Sequence, residues 1–178
     1  MNEAITQSSQ NTGEAGNVLR LEDVGPAAVE KLLSTYGLSL KTIAGDKDIP
    51  GSFWGDEEAG LIGDQLIARY DTPLHSILHE TCHYICMDKI RREAIHTDAG
   101  GDYDEENAVC YLQILLADHI DGFGSDRLLK DMDRWGYTFR LGSAQAWFER
   151  DADDALAWLR QHGLVDSQQQ PCWTLREN

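Results

Sequence analysis

The chain is poor in basic residues, and this shortage narrows the range of its partners. Lys and Arg number 15 against 31 Asp and Glu, which gives the 178 residues a formal net charge of −16. Nucleic acids and anionic membranes are bound by basic patches, so neither is an expected partner. The acidic balance instead favours a basic partner, although many surface acids serve only to keep a protein in solution.

Long apolar runs are also missing. No stretch of the sequence approaches the ~20 apolar residues of a membrane-spanning helix, and no basic-then-apolar segment of the secretory type stands at the N-terminus. We therefore expect a cytoplasmic protein. Its cysteines are few, and Cys82, Cys86 and Cys110 are expected to be small buried thiols in a reducing compartment.

Residues 79–83 read His-Glu-Thr-Cys-His, an H-E-x-x-H pattern that indicates a specific chemistry. On a helix, positions four apart lie on the same face, so His79 and His83 can bind one Zn²⁺ through their imidazole nitrogens. Glu80 then lies beside the metal, where it can take a proton from a water molecule that the metal activates. The alternative is a helix with two ordinary histidines, and the surrounding sequence must decide between the two.

The residues around the pattern predict a helix that directly follows a strand. Residues 61–70 are predicted as a strand, Thr72 as a helix N-cap and Pro73 as the first helical position. The largely basic residues 89–92 are expected near the end of this helix, where cations complement its dipole. His75 extends the column of histidines, but eight residues rise ~12 Å, which is too far for His75 and His83 to share one ion. We expect His75 to support a ligand or to lie at the surface.

A catalytic zinc needs a third protein ligand, and the following helix is its expected source. The short-spaced form of the motif would place a third His where the chain has Lys89. Residues 98–106 instead form an acidic loop that runs into a largely apolar helix over residues 104–118. A carboxylate at the start of a buried helix needs a partner, and a metal ion is one such partner.

Residues 67–117 resemble the minimal gluzincin-type metallopeptidases, and among them the ImmA/IrrE family. In that family a strand leads into an H-E-x-x-H helix, and a second helix carries a zinc-binding Glu in a pattern close to E-A-N-x-F-A-x-x-L-L. Residues 106–116 read Glu-Asn-Ala-Val-Cys-Tyr-Leu-Gln-Ile-Leu-Leu and align with this pattern without a gap. The resemblance implies that His79, His83 and Glu106 bind Zn²⁺ and that Glu80 is the general base.

The chain departs from the family pattern at several positions. Thr81 and Cys82 stand where Leu-Gly is usual, and Asn107 and Cys110 stand where Ala and Phe are usual. These changes leave the subfamily and the substrate open. Glu105 remains an alternative third ligand, and Fe²⁺, Co²⁺ or Mn²⁺ would accept similar ligands. Weaker ligand candidates are His96, Asp98 and Asp102.

The predicted fold is α+β, with a small N-terminal sheet, a helix-rich body and a zincin-like H-E-x-x-H helix directly after a strand. Residues 1–18 are predicted as a disordered tail, residues 19–165 as a single metallopeptidase domain and residues 166–178 as a polar C-terminal tail. Further elements are expected at about residues 26–36, 38–44, 125–135, 143–149 and 151–162. Trp54 is expected in the core, with the lining of a cleft as its alternative.

The sequence therefore predicts a small zinc metallopeptidase that acts on a peptide or protein, which can be one dedicated and basic substrate. The first alternative is a regulatory or interaction module of the same fold that binds metal without turnover, with a cysteine in the fourth metal position. The second is an acidic mimic of nucleic acid, which has only the net charge in its favour.

Hydrolysis also requires a hydrogen-bond donor to the developing oxyanion besides the zinc. Four residues are candidates, and the sequence does not choose among them: Tyr103, His119, Tyr137 and Arg140.

Overall fold

A computed structural model describes residues 17–178, so residues 1–16 of the tail predicted for residues 1–18 lie outside the described part of the chain. Val18, at the end of that predicted tail, is buried. The fold is α+β, as predicted, with a three-stranded sheet that precedes most of the helices. In chain order the elements are α1 (Leu21–Val24), α2 (Pro26–Thr35), β1 (Ser39–Thr42), β2 (Gly60–Ile62), β3 (Gln65–Ala68), α3 (Leu74–Cys86), α4 (Lys89–Glu93), α5 (Tyr103–Ala117), α6 (Ser125–Trp135), α7 (Ala144–Arg150) and α8 (Asp153–Gln161).

The sheet has the order β1-β3-β2, with β1 parallel and β2 antiparallel to the central strand. The prediction of a single strand over residues 61–70 is wrong, because the chain turns back at Gly63 and Asp64. Gly63 has a φ of +57°, a left-handed conformation that glycine adopts at little cost and that suits a two-residue hairpin. Leu66, Ile67 and Ala68 of β3 are buried and connect the sheet to the core.

Helix α3 carries residues 79–83 and begins a few residues after β3. Pro73 is its N-cap residue, one position later than predicted, and the Leu74 N–H donates to the Leu19 carbonyl oxygen at 2.9 Å. All thirteen residues of α3 are buried. The helix therefore lies inside the molecule, and its polar side chains have little contact with solvent.

The predicted extension of this helix through residues 89–92 is wrong. Met87 has an extended ψ of 150° and ends α3, and Asp88 then starts the separate helix α4. The Asp88 carboxylate accepts a hydrogen bond from the Arg91 N–H at 2.9 Å, which is the usual way an Asp caps a new helix. The basic residues consequently belong to α4, where Arg92 donates to the Met87 carbonyl oxygen at 2.6 Å.

Helix α5 is the centre of the helical body and packs against α3, α6 and α8. Trp147 of α7 is buried, and Trp135, Phe148 and Trp158 pack against the same core, as the sequence predicts for large aromatic residues at helical spacing. Over residues 17–178, none of the helices has both the length and the apolar character that a membrane crossing requires.

The polar residues 166–178 pack against this body. Pro171 pairs with Val165 in an isolated β-bridge, and the Trp173 ring lies 5.7 Å from that of Tyr36 between centroids. The Arg176 N–H donates to the Ile85 carbonyl oxygen at 3.0 Å, at the end of α3. These contacts join the C-terminal residues to the helix that carries the H-E-x-x-H pattern.

Candidate metal centre

The three predicted ligands lie together between α3 and α5. His79 and His83 are one turn apart on α3, and their Nε2 atoms are 3.1 Å apart. Glu106, in the first turn of α5, places its Oε2 3.6 Å from the His83 Nε2. One ligand atom from each of the three residues lies within 4.8 Å of the other two. A group of two imidazoles and one carboxylate at these distances can hold a metal ion.

Glu105, the alternative third ligand, faces away from this group. Its Oε2 accepts hydrogen bonds from Arg91 at 2.8 Å and from Arg176 at 3.1 Å. Glu106 instead accepts the Gly101 N–H on its Oε1 at 2.9 Å, and its Oε2 is turned toward His83. Of the two consecutive carboxylates, Glu106 is therefore the one that the fold brings to the histidines.

Burial keeps both histidines in their neutral form. It lowers the pKa of His79 to about 4, although the hydrogen bond that the His79 ring makes to the Gln113 amide oxygen acts in the opposite direction. Burial, with the neighbouring His79 as a lesser cause, lowers the pKa of His83 well below its usual range. Neutral imidazole is the form that binds a metal, so no proton has to leave before a cation is bound at pH 7.

Glu80 is the second carboxyl group of the site and, unlike Glu106, is buried. Its pKa is raised from 4.5 to about 8, mainly by burial and to a lesser extent by the negative charges of Glu58, Glu106 and Asp98. A nearby cation favours the ionised form of such a group and lowers its pKa. Glu80 is thus a group whose proton can be exchanged near neutral pH, which is what a general base requires.

A chain of hydrogen bonds lies behind the histidines. Gln113 of α5 donates from Nε2 to the His75 carbonyl oxygen at 2.8 Å, and its Oε1 lies 3.2 Å from the His79 Nδ1. The His75 Nδ1 lies 3.2 Å from the Tyr137 hydroxyl oxygen. His75 is fully buried, so the surface position is wrong, and its main chain supports His79 through Gln113. Sequence reasoning missed Gln113, although an amide within a mostly apolar helix was a usable signal.

A cleft of about 380 Å³ opens onto the two histidines, Glu106 and Glu80. The aromatic residues that line it are largely exposed: Phe53 is 55%, Trp54 47% and Tyr103 52% accessible to solvent. The core position expected for Trp54 is therefore wrong. Trp54 lies on the loop before β2, where its ring packs edge-on against Phe53 with 5.2 Å between centroids. The alternative expectation, the lining of a cleft, is confirmed.

The weaker ligand candidates lie outside the group found in residues 17–178 that can hold a metal ion. Asp102 caps α5 by accepting the Glu105 N–H at 2.9 Å. His96 is exposed, and its Nδ1 lies 2.8 Å from the Thr97 hydroxyl oxygen. Asp98 lines the cleft, where its Oδ1 accepts the Gly100 N–H at 3.1 Å.

The three cysteines of the helical body are not ligands of the candidate metal centre. Cys82, Cys86 and Cys110 are free and buried, and the His79, His83 and Glu106 group found within residues 17–178 includes none of them.

One of the four candidate oxyanion donors, Tyr103, lines the cleft. Tyr137 does not line the cleft, but its ring packs edge-on against His79. Arg140 pairs with Asp151, and His119 packs against Trp173.

Comparison of the chain with family models, curated proteins and solved structures gives no match. The resemblance to gluzincin metallopeptidases therefore stays a prediction that rests on two short motifs. What the chain itself shows is a buried His79, His83 and Glu106 group that can hold a metal ion and that opens onto a cleft.

Proposed function

We propose that the chain is a zinc-dependent metallopeptidase of zincin-like fold that hydrolyses peptide bonds with Glu80 as general base. The observation that carries the proposal is the His79, His83 and Glu106 group, with Glu80 beside it in the lining of the same cleft. Two imidazoles and a carboxylate suit Zn²⁺, and catalytic zinc sites combine three protein ligands with one open position.

The surroundings of the three residues support this assignment. Both histidines are neutral, and burial raises the pKa of Glu106, so its carboxylate gains from a neighbouring cation. Structural zinc sites are closed by four protein ligands. The group found in the described residues has three and borders an open cleft, which favours turnover over a purely structural site.

Glu80 would move the proton during hydrolysis. A zinc ion bound by the three residues would supply Lewis acidity, which polarises the scissile carbonyl group and acidifies water. The Glu80 carboxylate then accepts a proton from the attacking water and delivers it to the nitrogen of the leaving amine. Tyr103 lines the cleft and is the proposed hydrogen-bond donor to the developing oxyanion.

The proposed substrate is a protein segment that contains a basic side chain. Phe53, Trp54 and Asp98 all line the cleft, so aromatic faces and a carboxylate border the same space. Aromatic faces attract Lys and Arg head groups and pack against their apolar stems. The net charge of −16 adds a general attraction for basic partners. Free buried thiols suit the reducing cytoplasm as the place of action.

The substitution Glu80→Gln tests the proposal. The variant keeps the ligands and should bind one zinc ion per chain, as the parent should, while hydrolysis falls roughly 10²- to 10⁴-fold. Zinc is measured by elemental analysis, and hydrolysis by mass spectrometry of a mixed peptide pool that is rich in Lys and Arg. Glu93→Gln, at an exposed position of α4, is the matched control and should retain both properties.

Two results would overturn the proposal. Full hydrolytic activity in Glu80→Gln would contradict the role of Glu80. Failure of the parent protein to bind Zn²⁺ supplied in excess would show that the proposed metal centre does not exist.

A further inference from the structure

We infer that Gln113 is a positioning residue that selects the metal-binding tautomer of His79. The inference rests on the proposed metal centre and concerns how this chain prepares a ligand before the cation arrives. Gln113 lies two turns after Glu106 on α5, and its side chain is completely buried. It is not among the residues that line the cleft, so it acts on His79 from behind.

The contacts of Gln113 fix which end of its amide faces each neighbour. The His75 carbonyl oxygen can only accept a hydrogen bond, so the amide atom that lies 2.8 Å from it must be Nε2. The amide oxygen is therefore the atom that lies 3.2 Å from the His79 Nδ1. Because an amide oxygen can only accept, the proton between these two atoms belongs to the His79 Nδ1.

The position of this proton decides which nitrogen can bind a cation. A neutral imidazole carries one proton, so with Nδ1 protonated the His79 Nε2 keeps a free lone pair. This Nε2 is the atom that lies 3.1 Å from the His83 Nε2, on the side of the proposed metal centre. In the other tautomer, Nε2 would carry the proton and could not bind a cation. Gln113 thus selects the tautomer that is ready for the metal.

Burial of the Gln113 amide is unfavourable unless both its oxygen and its nitrogen form hydrogen bonds. An amide that is buried without hydrogen-bond partners is destabilising, because it loses its hydrogen bonds to water and gains none in return. Here both ends are paired, and both partners lie one turn apart on α3, at His75 and His79. The residue therefore also joins α5 to α3, and an experiment must separate this structural contribution from control of the tautomer.

The first test compares zinc affinity in matched variants. Gln113→Met keeps the volume and removes both hydrogen bonds, and should weaken zinc binding about 10- to 100-fold, as is typical for residues that support a metal ligand. Thr81→Val is the control, since it removes the buried hydrogen bond from Thr81 to the Ile77 carbonyl oxygen, at 2.7 Å, without touching a ligand. It should leave the zinc dissociation constant unchanged, as measured by competition with a chromophoric chelator.

A conservative variant makes the test specific. In Gln113→Glu, a buried neutral carboxyl group can donate to the His75 carbonyl oxygen and accept from the His79 Nδ1, so we expect zinc affinity near that of the parent. Unfolding by urea of the metal-free variants shows how much each change affects stability alone. A loss of zinc affinity that simply follows the loss of stability across the set, Thr81→Val included, would overturn the inference.

The second test observes the tautomer directly in metal-free protein. Nitrogen NMR of isotope-labelled histidine should show the His79 proton on Nδ1 in the parent, in Gln113→Glu and in Thr81→Val, and mixed tautomers in Gln113→Met. A parent with the proton on Nε2 would overturn the inference. If the parent binds no zinc, the proposed function fails, whereas this measurement still decides the role of Gln113.

Discussion

Glu105 and Glu106 are consecutive residues of α5, yet their carboxylates contact different groups. Glu105 lies 2.8 Å from Arg91 and 3.1 Å from Arg176, whereas Glu106 lies 3.6 Å from the His83 Nε2. Neighbouring positions on a helix point about 100° apart, so one side chain reaches the basic residues while the other faces the histidines. The same substitution at the two positions should therefore have separate effects.

Glu106→Gln should abolish tight zinc binding and leave stability nearly unchanged. Because it removes a direct ligand, we expect a loss of affinity beyond the roughly 10- to 100-fold that is typical for supporting residues. Glu105→Gln should retain zinc affinity and lose about 1–3 kcal/mol of unfolding free energy, because a hydrogen-bonded charge between two arginines is removed. Chelator competition and urea unfolding of the metal-free proteins measure the two quantities. The reverse pattern would exchange the roles of the two residues.

Zinc should also stabilise the folded chain. A ligand that binds only the native state adds about 2.7 kcal/mol when its free concentration is 100 times the dissociation constant. Thermal unfolding with and without zinc should show this gain in the parent, and a chelator should reverse it. In Glu106→Gln the gain should be absent at the same zinc concentration. An equal gain in both proteins would place the bound ion elsewhere.

Glu58 should make the protein less stable as the pH rises toward neutrality. Burial raises its pKa from 4.5 to about 7, opposed by the hydrogen bond from the Trp135 indole N–H at 2.8 Å. Between these two values the unfolded chain has released the proton while the folded chain retains it. Stability from this group is therefore complete below about pH 4.5 and is lost as the pH rises to about 7.

The substitution Glu58→Gln should remove this loss. Its amide oxygen can still accept the Trp135 hydrogen bond, so the variant should match the parent at about pH 4. At about pH 8 it should be more stable by up to roughly 3 kcal/mol, the free energy that corresponds to the pKa difference. Urea unfolding of metal-free protein at both pH values measures the effect. A difference of the same size at both would contradict the assignment.

Trp54 should contribute to the selection of basic substrates. If its exposed ring contacts a Lys or Arg side chain, Trp54→Ala should lower kcat/KM for such a peptide roughly 2- to 30-fold, as expected for a cation–π contact. A matched peptide with Leu in place of the basic residue should be affected less. Ile90→Ala is the control, because Ile90 is 82% exposed on α4 and does not line the cleft. An equal loss of kcat/KM for both peptides would contradict the proposed role of Trp54 in selecting basic substrates.

The local features of the site could be predicted from the sequence. Helix α5 was expected over residues 104–118 and runs from Tyr103 to Ala117, because the Asp102 cap and the apolar run are both local signals. The same holds for α7, where Ser143 accepts the Ala146 N–H as a cap. The closeness of His79 and His83 follows from helical spacing alone. Glu106 could be placed near them only through resemblance to a family.

The remaining features depend on contacts between distant parts of the chain. The role of Gln113 requires that α5 lie against α3 in one register, so that its amide spans from His75 to His79. The packing of residues 166–178 depends on Arg176 meeting Glu105, which is 71 residues earlier. Composition describes such residues only as polar. The break between α3 and α4 could have been predicted from the sequence, because Asp88 is a residue type that commonly caps a new helix.

The complete burial of α3 bears on how fast a cation is exchanged. Within residues 17–178, the cleft that Phe53, Trp54 and Tyr103 line is the opening identified onto His79 and His83, so an arriving or departing ion passes these rings. Equilibrium affinity depends on the ligands and on Gln113, whereas the residence time of the ion also depends on the width of this entrance. Smaller side chains at the entrance should therefore speed both loading and release while the dissociation constant stays the same.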